Sequence, residues 1–191
     1  MGSAVLSADG SALTQWRVIF RQSPKVASSG HFGGRIVVAP GDTLFITLGE
    51  RQAASESVKA QDLAQGHGKI MRIRSDGSVP ADNPFTGQAG AQATIWSYGH
   101  RNVQGAALHP LTGELWATEH GPQGGDEVNR VRAGLNYGWP RVSYGCDYGH
   151  APEPPHAQPR RQHASSAAGP ANSALISVSL RSTTMREDRI S

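Results

Sequence analysis

The chain has 191 residues, a formal net charge of +3, 23 glycines and 12 prolines. That length suits one domain with a core of its own. Abundant turn residues without long alternating charge runs disfavour a helical bundle and favour short strands joined by tight turns. The basic residues are scattered except for a late cluster, so composition gives no nucleic-acid surface. No run approaches the roughly 18 apolar residues that cross a bilayer, which argues against membrane insertion. The start, MGSAVLSADGSALTQW, has neither a basic n-region nor an apolar h-region. The chain as it stands is therefore expected to lack an export signal and to be cytoplasmic if expressed in this form. The lone Cys146 excludes an internal disulfide and leaves the redox compartment unread.

The first strand expected from pattern is Arg17 to Phe20. Arg35 to Val38 and Thr43 to Leu48 follow, with Pro40, Gly41 and Asp42 between them, so RIVVAPGDTLFITLG reads as a hairpin. In GKIMRIRSDGSVP, Ile70, Arg72 and Arg74 alternate with Met71 and Ile73 before a turn at Asp76 and Gly77, which predicts a half-buried strand. A strand is expected to end at Trp96 to Tyr98. GAALHPLTGELWATE then gives a second hairpin, Ala106 to Leu108 and Leu115 to Thr118, around a turn at His109 to Gly113. No long helix is expected. Strand pairs recurring at intervals of tens of residues fit the blades of a β-propeller, and a two-sheet sandwich is the other all-β arrangement this pattern allows.

From Ala151 the composition changes. APEPPHAQPRRQHASSAAGPANS is dominated by Pro, Ala, Ser, His and Gln, and no aromatic residue occurs through Ser191. The expected division is residues 1–150 as the folded, propeller-like part and 151–191 as a low-complexity tail, disordered or non-native. A short apolar patch at Ala174 to Leu180 within that tail could pair as a strand.

Four dense motifs fall in the first part: SGHFGGR, YGHRNVQG, TEHGPQGGDEVN and NYGWP. In the first, glycines on both sides of His31 let the backbone turn sharply, and a neutral imidazole in such a loop suits a general base. In the second, Arg101 and Asn102 set a guanidinium beside an amide, which by themselves fit a surface ion pair as well as an acceptor-rich ligand. In the third, an irregular glycine-rich loop can turn main-chain oxygens toward a hard cation. The Asp126 and Glu127 spacing does not make an EF-hand loop. Trp96, Trp116 and Trp139 read as core or turn packing, and His100 and Gln104 receive no direct role.

Together with the connecting segment AQDLAQGHGKIMRIRSDGSVPADNPF, these motifs resemble the soluble pyrroloquinoline-quinone (PQQ) dependent aldose sugar dehydrogenases, the glucose/sorbosone dehydrogenase-like family, from about Leu6 to His150. The resemblance implies a six-bladed propeller, of which residues 1–150 would make about three to four blades. It implies oxidation of an aldose at its anomeric carbon to the lactone, with hydride passing to PQQ and then electrons to an external acceptor. His31 falls at the position of the base and Arg101 at that of the quinone-oxygen stabiliser. Arg101, Asn102 and Tyr148 fall at PQQ-contacting positions, and Gly121, Pro122, Glu127 and Tyr137 at calcium-binding ones. An intact relative would be periplasmic or secreted. The stretch is expected to begin partway round the ring and to lack later basic loops, which leaves open whether it is active alone. The competing readings are a non-catalytic calcium-binding interaction protein of propeller type and a calcium-dependent sugar lactonase. No motif speaks to oligomeric state.

Overall fold

The computed structural model describes residues 1–146. The tail 151–191, the Ala174 to Leu180 patch and Tyr148 all lie outside the described residues. Among those described, nine strands and one helical turn alternate with loops: β1 (Gly2–Leu6), β2 (Leu13–Val18), β3 (Gly33–Ala39), β4 (Thr43–Leu48), α1 (Ala54–Ser57), β5 (Lys69–Arg74), β6 (Ile95–Tyr98), β7 (Val103–Leu108), β8 (Leu115–Glu119) and β9 (Glu127–Val131). A 3-10 turn, Val58–Gln61, continues α1. The fold is all-β, and none of the helices described is long and apolar enough to cross a membrane.

Every ladder is antiparallel and joins strands that follow one another in the chain, giving the sheets β1-β2, β3-β4-β5-β6 and β7-β8-β9. Both hairpins read from the sequence are present: Ala39 pairs with Thr43 and Leu108 with Leu115. The first turn works because Gly41 and Asp42 both adopt positive φ, 73° and 59°. The expected strand at Arg17 to Phe20 is displaced toward the N-terminus. β2 ends at Val18, and Ile19 and Phe20 instead leave the sheet to donate backbone hydrogen bonds to the Met1 carbonyl.

A larger correction concerns β5, which is buried on both faces rather than half-buried. Ile70, Met71 and Ile73 are all fully inaccessible. One face carries Phe45 and Ile70 and packs with Val37 against Val103, Leu115, Ala117 and Val131 of the three-stranded sheet. The opposite face carries Ile46, Leu48, Met71 and Ile73 and packs with Phe85, Ile95 and the N-terminal residues Met1, Ile19 and Phe20. Arg72 breaks the apolar run without breaking the burial, because its guanidinium lies over the Trp96 ring, 4.9 Å from the centroid, and reaches Asp82 at 3.0 Å. Trp96 meets Phe45 edge to face, so the core reading of this tryptophan holds.

Lys69 is buried at the start of β5, and its Nζ donates to the carbonyls of Lys59, Ala60 and His67 at 3.0, 2.9 and 2.7 Å. These bonds fasten the loop after α1 to the central strand. Burial pushes the ammonium down to about 7 from an ordinary 10.5, with Asp62 opposing the shift. Between those values the unfolded chain holds the proton more tightly than the folded one. Stability therefore rises with pH from about 7 toward 10.5. Denaturant titrations across this window will show that rise in the parent and a flatter profile in Lys69→Met.

Candidate active site

His31 sits in the loop before β3 with φ at 52°, and the two following glycines also take positive φ, Gly33 at 66° and Gly34 at 98°. The pair lets the chain fold back tightly onto β4. A Cβ on Gly33 would come within 2.7 Å of the Thr47 carbonyl. The β3–β4 register shifts here, between Gly33 and Ile36, and Thr47 Oγ1 accepts from the Arg35 N–H at 3.0 Å while donating to the Val103 carbonyl at 2.9 Å. The sheet edge carrying His31 is thus tied to the neighbouring sheet.

The imidazole meets the carboxylate of Glu50, the second residue past β4, through Nδ1 and Oε1. Glu50 also accepts from the Gln52 N–H at 2.9 Å and the Ser57 hydroxyl at 2.6 Å, both at Oε2. A carboxylate in that position accepts, so Nδ1 carries the proton and Nε2 is left with a lone pair. The His31 side chain is 13% exposed and that of Glu50 1%, so a substrate can touch the histidine but not the acid behind it. Glu50 was not singled out from the sequence. The signal was present as a charged residue closing the apolar run TLFITLGE.

Arg101 and Asn102 lie in the loop between β6 and β7, and they bind the His31 loop directly. The Glu50 N–H donates to the Arg101 carbonyl at 3.0 Å, and the Gly33 N–H donates to Asn102 Oδ1 at 3.1 Å. With Oδ1 used in this way, Asn102 has its NH2 as the donor to offer a ligand. The Arg101 guanidinium donates to the carbonyls of His120 and Gly121, at 2.9 and 2.7 Å. It stands over the Trp139 ring at 5.2 Å. Trp139, expected as core, instead lines a hollow together with Arg101, Glu119, His120, Glu127 and Tyr137.

Behind Arg101 stands a second buried acid, Glu119, the last residue of β8. It accepts from the Arg101 N–H at 2.7 Å, faces His100 Nδ1 at 3.1 Å and accepts from Asn129 at 3.0 Å. His100 stacks on Tyr137 at 4.6 Å, so it belongs to the support of the site. Gln104 meets His120 at its rim. Glu127 lies directly opposite Glu119 across the β8–β9 ladder. Burial first, and the charge of Glu119 second, push its carboxyl up to about 7. The Tyr137 hydroxyl, raised by burial and by Glu119, donates to the Arg130 carbonyl. What Tyr137 has for a cation is accordingly its main-chain oxygen.

The structure brings Arg101, Glu127 and Tyr137 around one hollow, while Gly121 meets it only through its carbonyl bond to Arg101 and Pro122 is buried next to Gly121. His31 and Asn102 lie one loop away, linked to it through Arg101 and Glu50. The donor set suits PQQ, since a guanidinium stacked on an aromatic plane matches a flat polyanion. Two facing carboxylates, one with its ionised form disfavoured, suit a hard divalent ion, and the Gly121 oxygen has a second lone pair beside the one used by Arg101. No cluster of three His, Cys, Asp or Glu side chains able to hold a metal occurs among the described residues. A cation here would therefore lean on main-chain oxygens.

The histidine backed by a buried acid and the hollow under Arg101 thus lie side by side, and sequence comparison gives the family of the chain. The Glucose / Sorbosone dehydrogenase family profile matches residues 1–179. The chain belongs to that family. It is 47% identical over 148 residues to the aldose sugar dehydrogenase YliI of Escherichia coli K12, covering 78% of this chain and 39% of that protein. Identity to the quinoprotein glucose dehydrogenase B of Acinetobacter calcoaceticus is 35% over 142 residues, covering 65% of this chain and 29% of that one. Among solved structures, the apo form of the soluble E. coli aldose sugar dehydrogenase superposes with a TM-score of 0.74 at 45% identity, covering 81% of this chain and 44% of that chain. The PQQ-bound aldose sugar dehydrogenase of Streptomyces coelicolor superposes at 0.62 and 35% identity, covering 73% of this chain and 39% of that one. The chain spans about two fifths of the length of its first curated relative.

Gly49 is packed against both loops. A Cβ there would lie 2.1 Å from the His31 carbonyl oxygen and 2.9 Å from Asn102 Oδ1. Gly49→Ala is expected to destabilise the fold by about 1–3 kcal/mol. Its NMR shift changes should concentrate at residues 31–33 and 102.

Proposed function

We propose that the intact protein is a PQQ-dependent aldose dehydrogenase that oxidises the anomeric carbon of a sugar to the lactone. The observation that carries this reading is the His31–Glu50 pair beside the Arg101 hollow. His31 Nε2 takes the proton of the anomeric hydroxyl as the C–H bond at the same carbon gives up its hydride. Glu50 holds the imidazole in the accepting tautomer and offsets the imidazolium charge that forms. Arg101, braced on the His120 and Gly121 carbonyls, presents its guanidinium to negative charge developing on an oxygen in the hollow. Asn102 contributes a neutral donor and keeps the His31 loop in place. When bound, PQQ supplies the quinone that accepts the hydride, and calcium supplies a positive charge that polarises it.

Gly121, Pro122, Glu127 and Tyr137 would hold the calcium, with Arg101, Asn102 and Tyr148 holding PQQ. An external acceptor then takes the electrons. The consecutive antiparallel sheets, packed through β3 and β7, support reading residues 1–150 as an arc of about three to four blades of a six-bladed propeller. The sugar dehydrogenase names of the relatives favour this activity over a lactonase or a calcium-binding scaffold.

In the full-length enzyme loaded with PQQ and calcium, His31→Ala is expected to lower kcat for aldose oxidation by about 10² to 10⁴-fold with PQQ still bound. The measurement is dye-linked turnover alongside the absorbance of bound cofactor. Undiminished turnover in a variant that keeps PQQ would remove His31 from the role of base.

A further inference from the structure

α1 is a helix of four residues, Ala54–Ser57, with no side-chain hydrogen bond at its N-cap and one buried residue. That residue is a serine. A helix held by packing normally buries an apolar face; this one buries Ser57, whose hydroxyl donates to Glu50 Oε2 at 2.6 Å. The chain reaches α1 through two consecutive non-glycine residues at positive φ, Arg51 at 78° and Gln52 at 70°. Such backbone is unfavourable and persists where the surrounding contacts over-determine it. Here two of those contacts meet at the Glu50 carboxylate and a third at the His31 carbonyl. Gln52 donates its N–H to Glu50 Oε2, the Arg51 guanidinium donates to the His31 carbonyl at 2.7 Å, and Ser57 completes the set.

We propose that Ser57 is a positioning residue for the proton-accepting histidine: its hydroxyl, with the Gln52 N–H, fixes the rotation of the Glu50 carboxylate so that Oε1 faces His31 Nδ1. Glu50 accepts through both oxygens. Two donors on Oε2 stop the carboxylate from turning about its last torsion, which is otherwise broad. The His31 ring inherits that orientation through Nδ1. Ser57 itself touches neither sugar nor cofactor. The assignment rests on His31 being the base, and its test separates the two ideas.

In the full-length protein without PQQ, 15N shifts of the His31 ring nitrogens report the tautomer. The parent is expected to show a single Nδ1–H form. Ser57→Ala should move the two nitrogens toward a mixture of tautomers and, in the loaded enzyme, lower kcat by about 10-fold with KM within about twofold. Ser57→Thr, which keeps the hydroxyl, should restore both. If Ser57→Ala does not fold, Ser57→Cys, close in size but a weak donor, should show an intermediate mixture. Ring nitrogens that stay in the parental form in the folded variant, whether or not stability or turnover falls, overturn the proposal. His31→Ala run in parallel distinguishes the failures: turnover surviving there defeats the base reading, and an unmoved tautomer defeats only the role of Ser57.

Discussion

A buried carboxylate that loses a partner costs several kcal/mol, and the geometry of this site follows from satisfying one. Glu50 stands just past β4 with its side chain almost wholly out of solvent. Its oxygens are met by His31, Gln52 and Ser57, and its own N–H is held by the Arg101 carbonyl. The loop before β3, the turn of α1 and the loop after β6 are thereby tethered to one residue. None of them can drift without exposing a charge to a medium that cannot solvate it. Loops at a protein surface are usually mobile; these are held from below.

Glu119 repeats the device on the other sheet. It closes β8 as Glu50 follows β4, and it gathers the Arg101 N–H, His100 and Asn129. Arg101 is consequently fixed at both ends, its main chain by the two acids and its guanidinium by two carbonyls of the 120–121 loop. The cost appears one strand over, where Glu127 faces Glu119 and its ionised form is disfavoured. Facing like charges across a ladder are unfavourable unless something positive joins them. Asn129 bridges the pair, its NH2 donating to Glu119 Oε1 and Glu127 Oε2, each at 3.0 Å.

The sequence was most legible where a single local rule decides the outcome. Alternation and turn chemistry located β3, β4, β7 and β8, and glycine flanks marked the His31 loop. The both-sided burial of β5 was hidden because Arg72 and Arg74 mimic a solvent face, while Arg72 in fact places its guanidinium over the Trp96 ring. The displaced β2 was hidden because Ile19 and Phe20 look like strand residues but pack around Met1. Trp139 looked like packing before a proline and turned out to floor the hollow under Arg101. Most of all, Glu50, Ser57 and Glu119 carry no motif of their own. Their meaning comes from partners 19, 7 and 18 residues away, and a linear pattern cannot display such a relation.

If the proposed function holds, an imidazole fixed by a buried acid meets the sugar hydroxyl while a guanidinium fixed by two carbonyls meets the oxygen on which charge develops, the two reaching in from neighbouring loops. The decisive measurement is a crystal structure of the full-length protein with PQQ, calcium and an aldose. His31 Nε2 is expected at about 3 Å from the anomeric hydroxyl, with Nδ1 still on Glu50 and Arg101 against a quinone oxygen. A sugar whose anomeric carbon faces away from His31, or a cofactor that Arg101 does not reach, would contradict it.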